Sequence, residues 1–443
     1  MKKRRVDIYA KNVYDWQKYR PGIHAGYNLQ LLFVYGDHTV ISKKMTMLVQ
    51  NSSAVRAMFE EGKRLSALHG KGNVYDFSLG NPNFPAPEAV NKAIIDIVSG
   101  EDPITLHGYM SNAGHSDVRQ AIADSLNDKF QTGFDESNII MSAGSAGGLN
   151  VVMKTLLDPG DEVIAISPFF LEYGAYVGNY DGTFVPVPAR ADSFLPDLEA
   201  LRNAVSPKTK AIILNSPNNP TGVVYPSEVL AGLARLLEEK SAEHGNPIYI
   251  LSDEPYRELA YDGIEVPFIT KYYRNTLICY SWSKSLSLAG QRIGYIVVPR
   301  EIDDYELVFN AAGVATRILG FVNAGSLMQK AVARCLGEKT DINAYDRNRK
   351  LLYDGLVSCG FDPVYPQGAF YMWVKSPGPG GAGGTLEFCA AAMKYNIIIV
   401  PGTAFACPGY VRIAYCVSSE TIENSLPGFK KLAEEYGLRV ASG

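Results

Sequence analysis

The stretch SNIIMSAGSAGGLNVVMKTLL, residues 137–157, changes period in the middle. Ile139, Ile140 and Met141 form a short apolar run of strand type, three glycines crowd the turn, and the apolar residues that follow return at helical spacing. A strand that passes through a tight turn into a helix is half of a βαβ unit. The same reading recurs downstream: EVIAISP, TFVPVPA, KAIILNSPNNPTG, PIYILSDEPY and TLICYSWSK are apolar runs ending in polar turns, several separated by helical stretches such as PSEVLAGLARLLEEKSAEH. This alternation predicts an α/β fold, with a mostly parallel mixed sheet sandwiched by helices. In open sheets of this kind ligands bind beyond the carboxyl ends of the strands, which is where the polar clusters of this chain fall.

Upstream, residues 1–44 are basic and aromatic, with no sustained period before LQLLFVYG, and read as an N-terminal extension; Met45 is an alternative start. AVRAMFEEGKRLSALHG has helical spacing, and VYDFSLGNPNFPAP reads as a short strand entering a proline-rich loop. The expected organisation is an arm at 45–95 that contributes to the small domain, a large domain at 96–318, and a smaller α+β domain at 319–443 carrying FYMWVK, NIIIVPG and VRIAYCV.

Composition excludes several classes of function. A net charge of −4 over 443 residues gives no general attraction to nucleic acid or to an anionic membrane, and neither is expected as a partner. The KKRR start reads as a solvated tail. No apolar run of signal-peptide type follows it, and no uncharged stretch is long enough to span a membrane. The six cysteines (Cys279, Cys335, Cys359, Cys389, Cys407 and Cys416) include no C-x-x-C pair, which suits reduced thiols and a cytoplasmic protein. No metal site is expected.

Four clusters at strand ends require one explanation. SAGSAGGLN (142–150) is a glycine-rich turn opening a helix, whose free amides and dipole suit a phosphate. NSPNNPTG (215–222) presents asparagine amides, and SDEPY (252–256) sets Asp253 at the end of a run too apolar to leave a carboxylate unpartnered cheaply. SWSKSLSLAGQR (281–292) supplies Ser281, Lys284 and Arg292. A phosphorylated aromatic aldehyde that condenses with a lysine needs all of these, with a carboxylate near its ring nitrogen to keep the ring an electron sink.

With GNPNF at 80, YMSNAG at 109, GSAGGL at 144, SPNNPTG at 216, SDEPY at 252, SWSK with Arg292, PQGAFYMW at 366, VPGTAF at 400 and VRIAY at 411, the chain from Met45 onward resembles a class I/II aminotransferase. That is the fold type I pyridoxal-phosphate family, in its bacterial aspartate aminotransferase-like branch. The resemblance implies pyridoxal 5'-phosphate as cofactor and Lys284 as the Schiff-base lysine and proton shuttle, its amine kept neutral by burial. It implies Asp253 against the pyridinium nitrogen, Asn219 and Tyr256 on the phenolic oxygen, and Phe170 stacked on the ring. Ser281, Arg292 and the backbone at Ser145 and Ala146 would hold the phosphate, with Tyr109 reaching in from a partner subunit. Arg412 would grip the substrate α-carboxylate, for which its planar fork is well shaped, with Gly80 and Asn219 close by.

Three positions depart from the family pattern. Ala146 stands where many relatives carry a hydroxyl or basic side chain, Asn83 replaces a usual aspartate, and Phe170 replaces a tryptophan or tyrosine. Gly378, Gly380 and Gly383 in GPGGAGG mimic a dinucleotide fingerprint, but Pro379 removes an amide and no acidic residue closes the next strand; the segment reads as a flexible surface loop. Arg317 is expected in a structural salt bridge, with recognition of an acidic side chain as its alternative role. The resemblance implies a homodimeric aminotransferase working by a ping-pong mechanism on an L-amino acid and a 2-oxo acid, 2-oxoglutarate first among them. A carbon–sulfur β-lyase of the same fold is the alternative, and a non-catalytic cofactor-binding regulator the more distant one.

Overall fold

The computed structural model describes residues 40–50 and 54–439. Most of the expected extension, with the KKRR start and LQLLFVYG, lies outside the described residues.

Helix α1 (Ala54–His69) leads to the short strand β1 (Tyr75–Asp76), and α2 (Ser116–Phe130) precedes the first strand of the main sheet, β2 (Ile139–Ser142). Strands and helices then alternate: α3 (Gly144–Leu156), β3 (Glu162–Ser167), α4 (Tyr173–Gly178), β4 (Thr183–Pro188), β5 (Thr209–Asn215), α5 (Ser227–His244), β6 (Tyr249–Glu254), β7 (Thr276–Ser281) and β8 (Gly294–Val297). The order across this sheet is β2-β8-β7-β6-β5-β3-β4, and β8 runs against both its neighbours while the other adjacent pairs are parallel. The carboxyl ends of β2, β5, β6 and β7 therefore share one edge.

Every residue of β2, β6, β7 and β8 is buried. Successive side chains of a strand point to opposite faces, so an unbroken apolar run is what a sheet covered on both faces demands. On one face Ile139, Met141, Ile278 and Val297 pack with Val118, Ile122 and Leu126 of α2. On the other, Ile140, Leu277, Cys279 and Ile296 pack with Val152 and Met153 of α3 and with Ala312 and Ala315 of α6 (Tyr305–Ile318).

The chain continues through α7 (Ile342–Ser358), β9 (Pro363–Val364), β10 (Tyr371–Lys375), α8 (Gly381–Met393), β11 (Ile397–Ile398), β12 (Val400–Pro401), β13 (Tyr410–Ala414) and α9 (Ser419–Glu435). Strands β12-β13-β10-β9 form an antiparallel sheet, and β1 pairs in parallel with β11. A second core joins Phe77, Phe370, Met372 and Ile413 to Leu352, Phe388 and Phe429 from the helices around them.

Two expectations are corrected here. The glycine-rich segment is a surface loop only in part: Gly378 and Gly380 lie in an exposed turn, but Gly381–Gly384 form the first turn of α8, and a side chain at Gly384 would overlap the carbonyl of Pro379. The small residues let the chain fold back on itself at the helix start. Arg317, in the last turn of α6, is exposed and makes no salt bridge among the described residues.

Candidate active site

The shared edge of the main sheet collects the side chains. Where β2 enters α3, Gly144 has φ +74°, a left-handed conformation that favours glycine. A Cβ there would stand 3.0 Å from the Arg292 guanidinium and 3.4 Å from Ser281 Oγ, and one on Gly294 of β8 would stand 2.9 Å from the Gly144 Cα. These two glycines let the turn lie directly against Ser281 and Arg292. The helix carries no side-chain cap at Ala143, so its first amides are free to bind an anion at the positive end of the dipole. Arg292 donates to the carbonyls of Ala289 (3.0 Å) and Ala143 (3.4 Å), both weak anchors for a cation. Ser281 caps the helical turn Trp282–Ser285 by accepting from the Ser283 amide at 3.1 Å. Lys284 sits on that turn.

Asp253, near the end of β6, is 6 % exposed. Its Oδ2 accepts a 2.6 Å hydrogen bond from the Tyr173 hydroxyl and its Oδ1 accepts from Ser145, while Asn215 at the end of β5 donates to its backbone carbonyl at 2.9 Å. Burial pushes the acid up to about 6, and the Ser145 and Tyr173 hydroxyls pull against that rise. The Lys284 Nζ donates to the carbonyl of Gly80 at 2.6 Å and stands 5.3 Å from the centre of the Phe370 ring. Burial pushes its amine down to about 8; the Cys416 thiol opposes the shift, and the positive charges of Arg292 and Arg412 add to it.

On the other side of the cavity Arg412 of β13 is 3 % exposed, paired in register with Trp373 of β10 and Val400 of β12. Its Nη2 donates to Ser78 O at 2.6 Å and its Nη1 to Asn219 Oδ1 at 3.1 Å; among the described residues its Nε has no partner. The guanidinium lies 4.5 Å from the centre of the Tyr371 ring, and burial lowers its pKa. Tyr371 in turn shares a 3.0 Å hydrogen bond with Tyr256, and its hydroxyl occupies the space that a side chain on Gly80 would need. The Asn219 amide is fixed from behind by its own N–H, which donates to Asn215 Oδ1 at 2.7 Å.

These groups line one cavity of about 290 Å³, whose wall includes Gly80, Ser145, Ala146, Phe170, Asn219, Asp253, Tyr256, Ser281, Lys284, Arg292 and Arg412. Of the residues expected to bind cofactor or substrate, Tyr109 alone lies elsewhere: it is 93 % exposed. Tyr173, Asn215, Tyr371 and Cys416 carry contacts to the site that had no role in the sequence reading. Tyr173 had a signal, since it follows Phe170 by three residues at helical spacing, and Tyr371 lies inside the GAFYMW motif. A larger cleft of about 810 Å³ opens elsewhere on the molecule over Arg257, Glu258, Tyr280 and Trp282. Its arginine is fully bonded to Glu254, Glu258 and Tyr295, so the smaller cavity holds the groups left free for chemistry.

The donor set fits pyridoxal phosphate. A glycine cradle and an exposed arginine suit the phosphate, an amine of depressed pKa suits the aldehyde, and a buried carboxylate with no cation suits a protonated ring nitrogen. The Arg412 fork, with its unpartnered Nε, suits a carboxylate.

The family description "Aminotransferase class I and II" matches residues 72–427. The chain is similar to an aspartate/prephenate aminotransferase of Thermus thermophilus, with 32 % identity over 359 residues that cover 80 % of this chain and 90 % of that protein. Among solved structures, an aminotransferase from Eubacterium rectale shares 46 % identity at a TM-score of 0.87, covering 90 % of this chain and all of that one. The Thermus thermophilus aspartate aminotransferase with maleate shares 29 % at a TM-score of 0.77, covering 89 % of this chain and all of that one. The chain belongs to the class I and II aminotransferases, enzymes that use pyridoxal phosphate.

Proposed function

We propose that Lys284 is the base of an amino-group transfer from an L-amino acid to a 2-oxo acid, 2-oxoglutarate being the expected acceptor, in two half-reactions that share one cavity. The observation that carries this reading is the convergence of Lys284, Asp253, Arg292 and Arg412 on the same 290 Å³ of space. When bound, pyridoxal phosphate supplies an aldehyde for the amine and a ring that accepts the electron pair left as the Cα–H bond breaks. Arg292, Ser281 and the amides at Ser145 and Ala146 would hold the phosphate, Phe170 would stack on the ring, Asp253 would keep the ring nitrogen protonated, and Asn219 and Tyr256 would donate to the phenolic oxygen. Arg412 grips the α-carboxylate beside Gly80 and Asn219, which aims the Cα–H bond at the Lys284 amine. The Lys284 amine would take the α-proton at Nζ, hold it, and later give it back. A depressed pKa leaves a useful fraction of this amine neutral near pH 8.

In this reading the active unit is a homodimer in the cytoplasm, with Tyr109 reaching the phosphate of the neighbouring subunit. Exposed Ile104 (82 %), Ile318 (59 %) and Tyr109 itself support an apolar surface awaiting cover. Free cysteines support a reducing compartment, and no helix among the described residues is long and apolar enough to cross a membrane. The proposed working units are the arm at 45–95, the large domain at 96–318 and the small domain at 319–443.

The test mixes the yellow enzyme with a panel of amino acids and no oxo acid, follows the cofactor absorbance band and assays ammonia. Loss of the band without ammonia, restored by 2-oxoglutarate, is the expected result and ranks the donors. A retained band with release of ammonia and an oxo acid means β-elimination and overturns the proposal.

A further inference from the structure

We propose that Tyr173, with Ser145 beside it, is a positioning residue that keeps Asp253 ionised toward the ring nitrogen of the cofactor, so that two neutral hydroxyls and no cation set how tightly pyridoxal phosphate is held. This rests on the reading of the cavity given above.

Each oxygen of Asp253 accepts one hydroxyl, Oδ2 from Tyr173 at 2.6 Å and Oδ1 from Ser145. A carboxylate accepts both protons as they stand; a carboxylic acid would have to turn one hydroxyl round. The geometry is thus complementary to the charged form, in a place where burial works against charge. The three cations of the cavity give no direct help. Lys284 is bonded to Gly80 O, Arg412 to Ser78 O and Asn219, and Arg292 to the carbonyls of Ala289 and Ala143. The titratable groups that feel the Asp253 charge are Tyr173 and Tyr176 from α4, Tyr256 from the turn after β6, and Cys279, its neighbour in register on β7. All four have pKa values raised by burial and stay neutral at ordinary pH, so Tyr173 remains a donor throughout.

The placement has a local cause. Tyr173 is the first residue of α4 and is wholly buried, with its ring edge-on to Phe170 at 5.5 Å and 79°. Phe170 faces the cavity, and the same turn of chain therefore presents one aromatic face to the cofactor ring and one hydroxyl to the acid beneath it. Ser145 lies in the first turn of α3, which also offers the amides for the phosphate. One helix start thus serves both ends of the cofactor.

The experiment titrates cofactor-free wild type, Tyr173→Phe, Ser145→Ala and Asp253→Asn with pyridoxal phosphate between pH 5 and 8.5, reading the dissociation constant by absorbance. Wild-type affinity is expected to fall as pH drops through about 6, where Asp253 takes up a proton. Losing one hydroxyl donor to a charge is worth about one pH unit, so Tyr173→Phe is expected to move that midpoint upward by about one unit, weakening binding about twofold at pH 7 and nearly tenfold at about pH 5. The cofactor's phosphate titrates in the same range in every protein, so the difference between variants carries the result. Because phenylalanine keeps the ring, the melting temperature of the cofactor-free variant reports whether packing has been lost. If Tyr173→Phe keeps the wild-type midpoint, whether its affinity is unchanged or uniformly weaker, Tyr173 only packs and the proposal is wrong. If Asp253→Asn also binds normally, the reading of the cavity itself fails.

Discussion

Residues 253–258, DEPYRE, belong to two different environments. Asp253 and Tyr256 face the candidate active-site cavity, while Arg257 and Glu258 line the larger cleft and Glu254 is buried against them. In the cleft the charges of Glu254, Arg257 and Glu258 answer one another. The Arg257 guanidinium donates to Glu254 (3.0 Å), Glu258 (3.3 Å) and the Tyr295 hydroxyl (2.7 Å) and lies 4.3 Å from the centre of the Tyr280 ring. Glu258 also accepts from Tyr280 at 2.8 Å and pairs with Lys129 at 3.5 Å. In the cavity Asp253 has hydroxyls only, Lys284 a carbonyl, and Arg412 an idle Nε. A buried charge with its counter-charge contributes to a closed structure; one without it stores free energy that a ligand of the right charge releases.

The widest break between the two regions comes from Lys284→Ala. Transamination is expected to fall by on the order of 10⁴-fold or more, the scale of removing a covalent link and a proton shuttle together. The protein should remain folded and keep weak cofactor binding through Arg292, Ser281 and Asp253. Undiminished turnover in this variant would remove Lys284 from the mechanism.

Next in size is a matched pair across the two regions. Asp253→Asn is expected to lower activity by about 10²- to 10⁴-fold yet to stabilise the cofactor-free protein. The sign follows from the shift: the folded acid titrates near 6 against an ordinary 3.8, so ionisation costs the fold stability as pH rises from about 4 to 6, and above 6 the whole penalty is present. Removing the charge should therefore recover up to about 3 kcal/mol at pH 8 and nothing below pH 4. Arg257→Met leaves the buried Glu254 without its counter-charge and should destabilise by about 3–5 kcal/mol. Thermal melts of cofactor-free protein at pH 4.5 and 8 read both, and equal signs for the two variants would contradict the contrast drawn above.

Much of this was legible along the chain, for reasons that differ by element. Strands buried on both faces must be unbroken apolar runs, so β3, β5, β6 and β7 were visible and their polar ends marked Asn219, Asp253, Ser281 and Lys284. What stayed hidden depends on pairing across distance. Tyr173 meets Asp253 over eighty positions and Tyr371 meets Tyr256 over 115, and neither residue type announces such a partner. The glycine run that opens α8 misled because glycine's weak helix propensity was overridden by a close approach of Gly384 to Pro379 that larger side chains would forbid. Arg317 looked like half of an ion pair, and nothing in its neighbours said that the other half would be missing among the described residues.

A smaller effect is expected at the carboxylate end. Arg412→Lys keeps the charge and loses the fork, and Arg412→Ala loses both; charge-assisted hydrogen bonds of this kind are worth about 1.5–3 kcal/mol, or roughly 10- to 100-fold in kcat/KM. The loss should fall on every amino acid of the donor panel alike. A loss confined to acidic donors would move Arg412 from the α-carboxylate to side-chain recognition.

The smallest predicted effect tests the seam between the two sheets. Tyr371 belongs to β10, its ring lies beneath Arg412, and its hydroxyl meets Tyr256, so one side chain touches the groups expected at the carboxylate and at the phenolic oxygen. Tyr371→Phe removes only the hydroxyl, worth about 1 kcal/mol net, and should lower kcat by roughly fivefold with KM nearly unchanged, because the ring stays under the guanidinium. Tyr371→Leu removes the ring as well and should raise KM in addition. If Phe and Leu instead raise KM equally and leave kcat alone, the hydroxyl contact is incidental and the tyrosine serves Arg412 only. Gly80 sharpens the reading, since any side chain there must displace both this hydroxyl and the edge of the ring that bears it: Gly80→Ala should reproduce the kcat loss of Tyr371→Phe and raise KM in addition, in a protein that still carries the tyrosine.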